Sequence, residues 1–252
     1  MRLYDLGKKR LLRKCEMKVP TFVVTIRTEG WRIVVGDAHE STHFIQYRPE
    51  DNLFFHFCDD SQARAVSVLK MADYDTVIGG DRFGNFWINR VPATVSSEID
   101  NDSVGSVMTS GKQEFLFSAP NKLEKVCEFY LDDTIISLDR ISLSPASRDL
   151  ILYTTISGAI GLFIPFTNRS DALFFQTLEL HLRSSTPSIL SSRDQLSFRS
   201  SYSPVKGVFD GALIEEIESI GSDRLIELAR DLDCNPEEIG KKINEIRSIA
   251  GF

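Results

Sequence analysis

The chain has 252 residues, of which 42% are hydrophobic and 26% are charged, a composition typical of a soluble globular protein with one large core or two smaller ones. Its formal net charge of −7 argues against a large nucleic-acid-binding surface, because such a surface needs clustered Lys and Arg. No run approaches the roughly 18 apolar residues of a membrane-spanning helix, and the N-terminus lacks the apolar run of a signal peptide, so we expect an intracellular protein without a membrane segment.

A basic cluster lies in residues 1–18, where seven Lys and Arg side chains accompany two carboxylates. Residues 2–6 and 10–16 are predicted strands on either side of a turn at Gly7. The first would close one propeller blade and the second would open the next, so the chain would begin within a propeller. The pattern favours solvated strand faces over an RNA-facing patch, and we expect little or no direct RNA contact.

A hairpin pattern recurs along the chain. An apolar run, a reversal rich in small and polar residues, and a second apolar run make up residues 31–47, 74–92 and 149–165. Asp37 and Asp81, in the first two copies, are 44 residues apart, close to the roughly 40 to 45 residues of a four-stranded propeller blade. The chain is therefore predicted to be a repeat protein.

The third copy lies further along the chain than one blade allows. Gly84 and Gly158 are 74 residues apart, whereas one blade takes roughly 40 to 45. The extra residues are rich in Ser, Asp and Gly and carry little apolar surface. We predict a disordered insertion at about residues 93–122.

The fold class predicted from these patterns is mainly β. Residues 1–166 should form a partial β-propeller of about three blades, each a four-stranded antiparallel sheet. Predicted strands of the first complete blade are residues 22–26, 33–35, 44–47 and 53–57, those of the second are 65–71, 76–78, 86–91 and 125–131, and those of the third are 134–143, 150–154 and 159–166.

Helical spacing replaces strand spacing after the propeller. Residues 167–204 are predicted to form a helix followed by a loop that packs on other residues. A boundary is predicted near Pro204, and residues 205–252 should form a small α-helical domain. Its last helix has Asn235 as the predicted N-cap and Glu238 in position for a capping box.

Residues 39–43 match the H-E-x-x-H motif, which on a helix would place His39 and His43 on one face for zinc, with Glu40 as base. The repeat instead places His39 and Glu40 in a reversal between strands. Strand residues four apart lie roughly 13 Å from each other, and no third ligand follows, since His56 is assigned to a different strand. We therefore expect no metal site, and a zinc hydrolase is the least favoured alternative.

No other enzyme motif stands out. The chain has no Walker loop, no G-x-G-x-x-G and no G-x-S-x-G sequence, so no catalytic residue and no cofactor are expected. Its four cysteines stand far apart, which favours reduced thiols over disulfides or a zinc site: they are Cys15, Cys58, Cys127 and Cys234.

Several longer strings carry a resemblance to a known family. They are residues 2–16 (RLYDLGKKRLLRKCE), 74–77 (YDTV), 82–85 (RFGN), 181–184 (HLRS), 193–200 (RDQLSFRS) and 204–206 (PVK). These strings closely resemble the C-terminal part of the splicing factor 3B subunit 3 family, the large propeller subunits of splicing factor 3b, which are relatives of the cleavage-factor (CPSF A subunit) and DNA-damage-binding propeller proteins. The resemblance covers essentially the whole chain.

The resemblance implies a nuclear scaffold without catalysis that acts in pre-mRNA splicing. The chain would supply about half of the third propeller, and would contact the helical-repeat largest subunit and the small subunits of splicing factor 3b, together with other U2 snRNP proteins. The turn at residues 39–40, the insertion, and Ala212 in place of an acidic residue depart from the family pattern. Sister propeller scaffolds of ubiquitin ligases or of mRNA 3′-end processing are the alternative.

The same resemblance implies that partner contacts concentrate in residues 61–82 and 134–157. These stretches contain first strands of successive blades and the adjoining turns, which commonly bind proteins at a propeller face. The expected partner-binding residues are Thr21, Ser61, Arg64, Asp73, Tyr74, Asp75, Arg82, Thr134, Arg148, Thr154, Thr155, Ser157 and Lys206.

Overall fold

A computed structural model describes residues 1–7, 10–18, 22–101, 119–143, 148–185 and 194–249. The chain is mainly β and divides into two compact units. The first unit comprises Met1–Cys127, Leu131–Leu138 and Thr155–Gly158, and the second comprises Glu128–Tyr130, Asp139–Thr154 and Ala159–Phe252. The predicted domain boundaries at residue 166 and near Pro204 stay predictions.

The first two strands form a hairpin of their own. Among the described residues, strands β1 (Arg2–Leu6) and β2 (Leu11–Glu16) pair only with each other, so the expectation that they belong to different blades is wrong. Arg2 Nε and Arg13 Nη1 lie 3.0 and 3.1 Å from the Glu16 carboxylate, and all three side chains are more than half exposed. The strand faces are solvated, and the expectation of little or no RNA contact stays a prediction.

The first complete blade is an antiparallel meander. It consists of β3 (Val23–Glu29), β4 (Arg32–Asp37), β5 (Ser41–Arg48) and β6 (Leu53–Asp59), as the turn spacing predicts. A short strand, β10 (Asn121–Lys122), pairs in parallel with β6 at the other side of the sheet. The strand order is therefore β10-β6-β5-β4-β3.

The second blade repeats the meander. It uses β7 (Val66–Met71), β8 (Thr76–Asp81), β9 (Asn85–Arg90) and β11 (Glu124–Tyr130), in the order β11-β9-β8-β7. Apolar residues of the first two blades form one core, made of Val34, Phe44, Phe57, Cys58, Val66, Leu69, Met71, Val77, Trp87, Val91, Ile99 and Leu123.

The third sheet has three strands, β12 (Ile135–Ile141), β13 (Leu150–Thr155) and β14 (Ile160–Phe163). They lie in the order β12-β13-β14. Sheets of this kind, with successive antiparallel strands and short turns, confirm the predicted partial propeller.

The predicted insertion is ordered at both ends. Helix α1 (Ala93–Asn101) follows β9, and the parallel strand β10 precedes β11. Ile99 of α1 is 4% exposed and belongs to the core, and Val95 packs against the same core. Two apolar residues one turn apart thus help to fix a short helix on the sheet, together with the contacts of Ser96 described below. The central part of the predicted insertion, residues 102–118, lies outside the described residues.

The second unit holds the remaining helices, which confirm the helical C-terminal part. They are α2 (Arg169–Ser185), α3 (Gln195–Arg199), α4 (Gly211–Glu215), a 3-10 turn (Glu216–Ser219), α5 (Ser222–Asp231) and α6 (Pro236–Ile249). Their core contains Phe175, Leu178, Leu182, Leu213, Ile214, Ile217, Leu228, Ala229, Ile239 and Ile243.

The last helix begins as its sequence predicts. The backbone N–H of Asn235 donates to Glu238 Oε2 at 3.0 Å, which is one half of a capping box. Across the ranges described above, no helix combines the length and the hydropathy needed to cross a bilayer.

Candidate protein-docking site

Two buried aspartates hold equivalent turns of the first two blades. Asp37 Oδ1 accepts hydrogen bonds from the backbone N–H groups of His39 and Glu40, at 2.8 and 3.1 Å. Asp81 accepts at 2.9 Å from the backbone N–H of Asn85 and at 2.7 Å from its side-chain amide. Both aspartates are at most 2% exposed. Each turn is therefore fixed by a carboxylate of the strand that precedes it.

The turn after β13 is held by the carboxylate of Asp133, which lies in the segment between β11 and β12. Thr155 stands where the repeat has Asp37 and Asp81, and its hydroxyl lies 3.4 Å from that of Ser157. The Asp133 carboxylate accepts hydrogen bonds from the hydroxyl and the backbone N–H of Ser157. The serine hydroxyl is the main cause that lowers the pKa of Asp133 below its usual value. A short connecting segment thus replaces the missing aspartate.

These turns share one end of the sheets, which we call the tip rim (residues 38–40, 59–65, 82–84, 131–134 and 156–158). The backbone N–H of Arg82 donates to the Ala65 carbonyl at 3.0 Å, and the Thr134 hydroxyl donates to the Arg82 carbonyl at 2.8 Å. The backbone N–H of Ile156 donates to the Thr134 carbonyl at 2.9 Å. Of the expected partner-binding residues, the structure brings together Ser61, Arg64, Arg82, Thr134 and Ser157 at this rim, and Thr155 is buried at the end of β13 next to it.

Exposure separates the residues of the tip rim into two kinds. Arg82 is exposed, and its guanidinium has no hydrogen-bond or ion-pair partner among the described residues. Phe83 is 55% exposed and Ile156 is 70% exposed. Sequence reasoning missed both apolar side chains, although an apolar residue in a tight turn is a signal that could have identified them.

Arg64 is one of the buried residues of the tip rim. Its Nε donates to Asp60 Oδ2 at 3.1 Å, and its guanidinium carbon lies 4.6 Å from the centre of the Trp87 ring. Ser41 donates to the same Asp60 oxygen at 2.6 Å. With 6% of its surface exposed, Arg64 orients the turn before β7 rather than presenting a charge to solvent.

Asp73, Tyr74 and Asp75 lie at the other end of the second blade, in the turn between β7 and β8. The six residues of β8 separate this turn from Arg82 by about 20 Å, at roughly 3.3 Å a residue. The expected partner-binding residues of the stretch 61–82 therefore do not share one surface.

A buried arginine that sequence reasoning missed supports this second turn. Arg32 is fully buried, and its Nη2 lies 3.5 Å from Asp75 Oδ1 and 3.0 Å from the Ser96 hydroxyl. The Ser96 hydroxyl donates to Asp75 Oδ2 at 2.6 Å, and the guanidinium carbon of Arg32 lies 4.7 Å from the centre of the Tyr74 ring. Helix α1 and β4 thus fix the positions of Tyr74 and Asp75.

The remaining expected residues lie elsewhere. Thr21 lies outside the described residues. Arg148, Thr154 and Lys206 belong to the second unit. Lys206 is exposed, and its backbone N–H and carbonyl pair with those of Glu128 at 3.0 and 2.8 Å.

The H-E-x-x-H residues are not on a helix, as the repeat predicts. His39 is exposed in the turn after β4, whereas His43 lies in β5 and is 2% exposed. The prediction that His56 is out of reach is wrong, because His43 Nδ1 and His56 Nε2 are 3.2 Å apart. Burial lowers the pKa of His43 and lowers that of His56 to about 4, so both imidazoles are neutral at pH 7.

The sequence matches a known protein family. Residues 1–219 match the CPSF A subunit region. The chain belongs to the CPSF A subunit region family. The matched residues include all the sheets with their turns and most of the helical part.

Curated relatives point to one branch of the CPSF A subunit region family. The chain is 43% identical over 249 residues to the probable splicing factor 3B subunit 3 of Dictyostelium discoideum. It is 41% identical over 253 residues to splicing factor 3B subunit 3 of Drosophila melanogaster, and 41% identical over 249 residues to spliceosome-associated protein 130 A of Arabidopsis thaliana. These alignments cover 98 to 100% of this chain and 20% of each relative. The chain spans a fifth of the length of these relatives.

Proposed function

We propose that this chain is a non-catalytic scaffold that acts in pre-mRNA splicing by binding other protein subunits of splicing factor 3b. The names of its relatives support this role, since each describes a splicing factor subunit or a spliceosome-associated protein. The proposed partners are the helical-repeat largest subunit and the small subunits, with other U2 snRNP proteins, little or no RNA, and a nuclear location.

The observation that carries the proposal is the composition of the tip rim. Arg82, Phe83 and Ile156 are exposed on neighbouring turns that hydrogen bonds connect through Thr134. Arginine and aromatic side chains are enriched among the residues that dominate protein–protein binding energy. A cation flanked by apolar side chains fits a partner surface with an apolar pocket beside a carboxylate.

Rigidity of the turns favours binding at this rim. Asp37, Asp81 and Asp133 each satisfy the N–H groups of a turn, so the turns do not need to become ordered on binding. A preformed surface loses less conformational entropy on association than a mobile loop does. The second turn, at Tyr74 and Asp75, is preformed in the same way by Arg32.

The test is a pull-down from nuclear extract with the tagged chain and two variants. Arg82→Glu reverses the exposed charge of the tip rim, and Lys241→Glu reverses an exposed charge on α6 as the matched control. Lys242 is unsuitable as a control, because its Nζ lies 2.9 Å from Asp171. Circular dichroism checks that each variant is folded.

The proposal predicts that wild type and Lys241→Glu recover the largest splicing factor 3b subunit, and that Arg82→Glu recovers at least about tenfold less, as loss of a contact of about 1.4 kcal/mol would give. Equal recovery by all three would remove the tip rim as the docking surface. Recovery of ubiquitin-ligase or 3′-end-processing subunits instead would contradict the splicing role.

A further inference from the structure

Three side chains of the first blade converge on one buried point. His43 of β5 and His56 and Asp59 of β6 each offer one ligating atom, and these atoms lie within 4.8 Å of one another. Two imidazole nitrogens and a carboxylate oxygen are a ligand set that zinc and similar divalent metals use in proteins. His43 and His56 lie outside the tip rim, which is proposed to contact partners. Asp59 lies at its edge.

An irregularity in the sheet makes this convergence possible. His43 pairs directly with Asp59, but Ile45 pairs with His56, because the register shifts between Phe44 and Ile45. In a regular strand, residues three apart point to opposite faces, so His56 and Asp59 would not meet. The bulge places both next to His43. Bulges often occur near functional sites, where they redirect a side chain in this way.

The site has a buried imidazole and a replaceable cation. His43 is 2% exposed, and its Nδ1 faces His56 Nε2, whereas its Nε2 lies on the other side of the ring and has no hydrogen-bond partner among the described residues. Lys122 Nζ lies 2.5 Å from Asp59 Oδ1, and the lysine side chain is 48% exposed. A half-exposed lysine can move its ammonium into solvent at little cost, which would leave Asp59 Oδ1 for another cation while Oδ2 keeps its hydrogen bond from the backbone N–H of Ala119.

We propose that His43, His56 and Asp59 bind one divalent transition-metal ion, with zinc as the best fit, in place of the Lys122 ammonium. The facing nitrogens of the two imidazoles are 3.2 Å apart, and two ligands of a tetrahedral zinc at about 2.0 to 2.1 Å lie about 3.4 Å from each other. Small side-chain shifts would bring the carboxylate into the same shell. Water on the Lys122 side completes the coordination.

Binding has a definite protonation requirement. In the metal-free protein one ring N–H lies between the two imidazoles, since their nitrogens are at hydrogen-bond distance. The metal needs lone pairs on both facing nitrogens, so that ring must carry its proton on its other nitrogen. Burial keeps both rings neutral at pH 7, so no proton has to be removed from an imidazolium.

The proposed site is distinct from the H-E-x-x-H motif, although it shares His43. His39 and Glu40 lie in the turn, where their backbone N–H groups bind Asp37, and neither belongs to the converging set. The metal would add a link between β5 and β6 and would displace only the Lys122 ammonium, while the backbone pairing of β6 with β10 remains, so its effect is on the stability of the blade. This role is independent of the proposed splicing function.

The experiment uses the full chain, treated with a chelator and then titrated with zinc chloride. Calorimetry and elemental analysis measure binding, cobalt substitution reports geometry by absorption, and thermal melting reports stability. We expect about one zinc per chain, a rise in Tm with zinc concentration, and the visible absorption of tetrahedral cobalt.

Three variants make the test specific. His56→Gln should weaken zinc binding by more than about 100-fold, because loss of a ligand exceeds the 10- to 100-fold effect of losing an outer-shell contact. His39→Ala should bind as wild type does. Lys122→Gln should bind zinc more tightly, since it removes the competing ammonium, an effect that mere support of the fold would not produce. Circular dichroism of the metal-free variants checks folding.

The proposal is overturned if the wild-type chain takes up well under one zinc and its Tm does not respond. It is also overturned if His39→Ala loses zinc while His56→Gln retains it, because the H-E-x-x-H motif would then be the site. Unchanged affinity in Lys122→Gln would contradict the exchange of lysine for metal.

Discussion

Arg32 of the first blade lies 3.5 Å from Asp75 of the second blade, and the arginine side chain is fully buried. Its Nη1 also donates to the Gln46 amide oxygen at 2.9 Å. The two blades are therefore joined by a charge that has no access to water. Such a charge is stable only while its partners remain, which makes it a sensitive point of the fold.

Replacing this arginine should be strongly destabilising. Arg32→Met leaves Asp75 and the Ser96 hydroxyl without the cation they surround, and we expect the free energy of unfolding to fall by about 3 to 5 kcal/mol. Urea denaturation measures the change. Arg224→Met, at an exposed position of α5, should stay within about 0.5 kcal/mol of wild type. Equal effects of the two variants would contradict a structural role for Arg32.

Replacing Asp81, which holds the turn after β8, should lower stability more than replacing an exposed residue does. Asp81→Ala removes a buried carboxylate that accepts hydrogen bonds from Asn85 and from the backbone N–H of Phe83, at 2.7 to 2.9 Å. We expect a loss of about 2 to 4 kcal/mol in the free energy of unfolding, since the turn N–H groups lose a charged acceptor. Glu98→Ala, exposed on α1, is the control. A loss no larger than that of the control would show that water replaces the carboxylate.

Two glycines should respond to alanine in opposite directions. A Cβ on Gly79 would lie 2.4 Å from the buried Trp87 ring, whereas a Cβ on Gly240 of α6 would meet nothing within 4 Å. Gly79→Ala should lower the free energy of unfolding by about 1 to 3 kcal/mol through overpacking. Gly240→Ala should raise it by about 1 kcal/mol, because alanine favours the helix. Thermal melts of the pair that move in the same direction would contradict these contacts.

The buried histidines predict a loss of stability in mild acid. His56 has a pKa of about 4 in the folded chain, against about 6.5 when unfolded, so the unfolded chain binds more protons between these values. The free energy of unfolding should therefore fall as pH drops below about 6.5, by up to about 1.4 kcal/mol per pH unit for each such histidine.

Denaturation between pH 7 and 5, with chelator present, measures this slope. His56→Gln should reduce it, whereas Gln176→Ala, which changes an uncharged exposed side chain of α2, should leave it unaltered. A slope that His56→Gln does not change would place the acid sensitivity elsewhere in the chain.

Most of the β architecture could be predicted from the sequence. The hairpins around Asp37 and Asp81 repeat at the length of a blade, and the alternation of apolar residues identifies their strands. The predicted reversals form because the Asp37 and Asp81 carboxylates satisfy the turn N–H groups locally. Interactions of this kind join residues that are close in the sequence, so they can be predicted from it.

The missed features depend on contacts between distant residues. The bulge in β6 that brings His56 to His43 has no local signal, so strict alternation places them apart. Arg32 was indistinguishable from a solvated strand residue, because its partners come from β5, the turn before β8 and α1. Helix α1 was missed because the sheet beneath it supplies the stability that its own sequence lacks.

Polar links between adjacent sheets also have a mechanical consequence. Arg27 Nε donates to the Leu69 carbonyl at 3.0 Å, and the Ser67 hydroxyl donates to the Ile135 carbonyl at 2.6 Å. Together with the contact of Arg32 and Asp75, these links join the first blade to the second and the second blade to the third sheet. Under tension they carry load in parallel with the apolar core, so we expect the first two blades to rupture in one event rather than to peel away strand by strand.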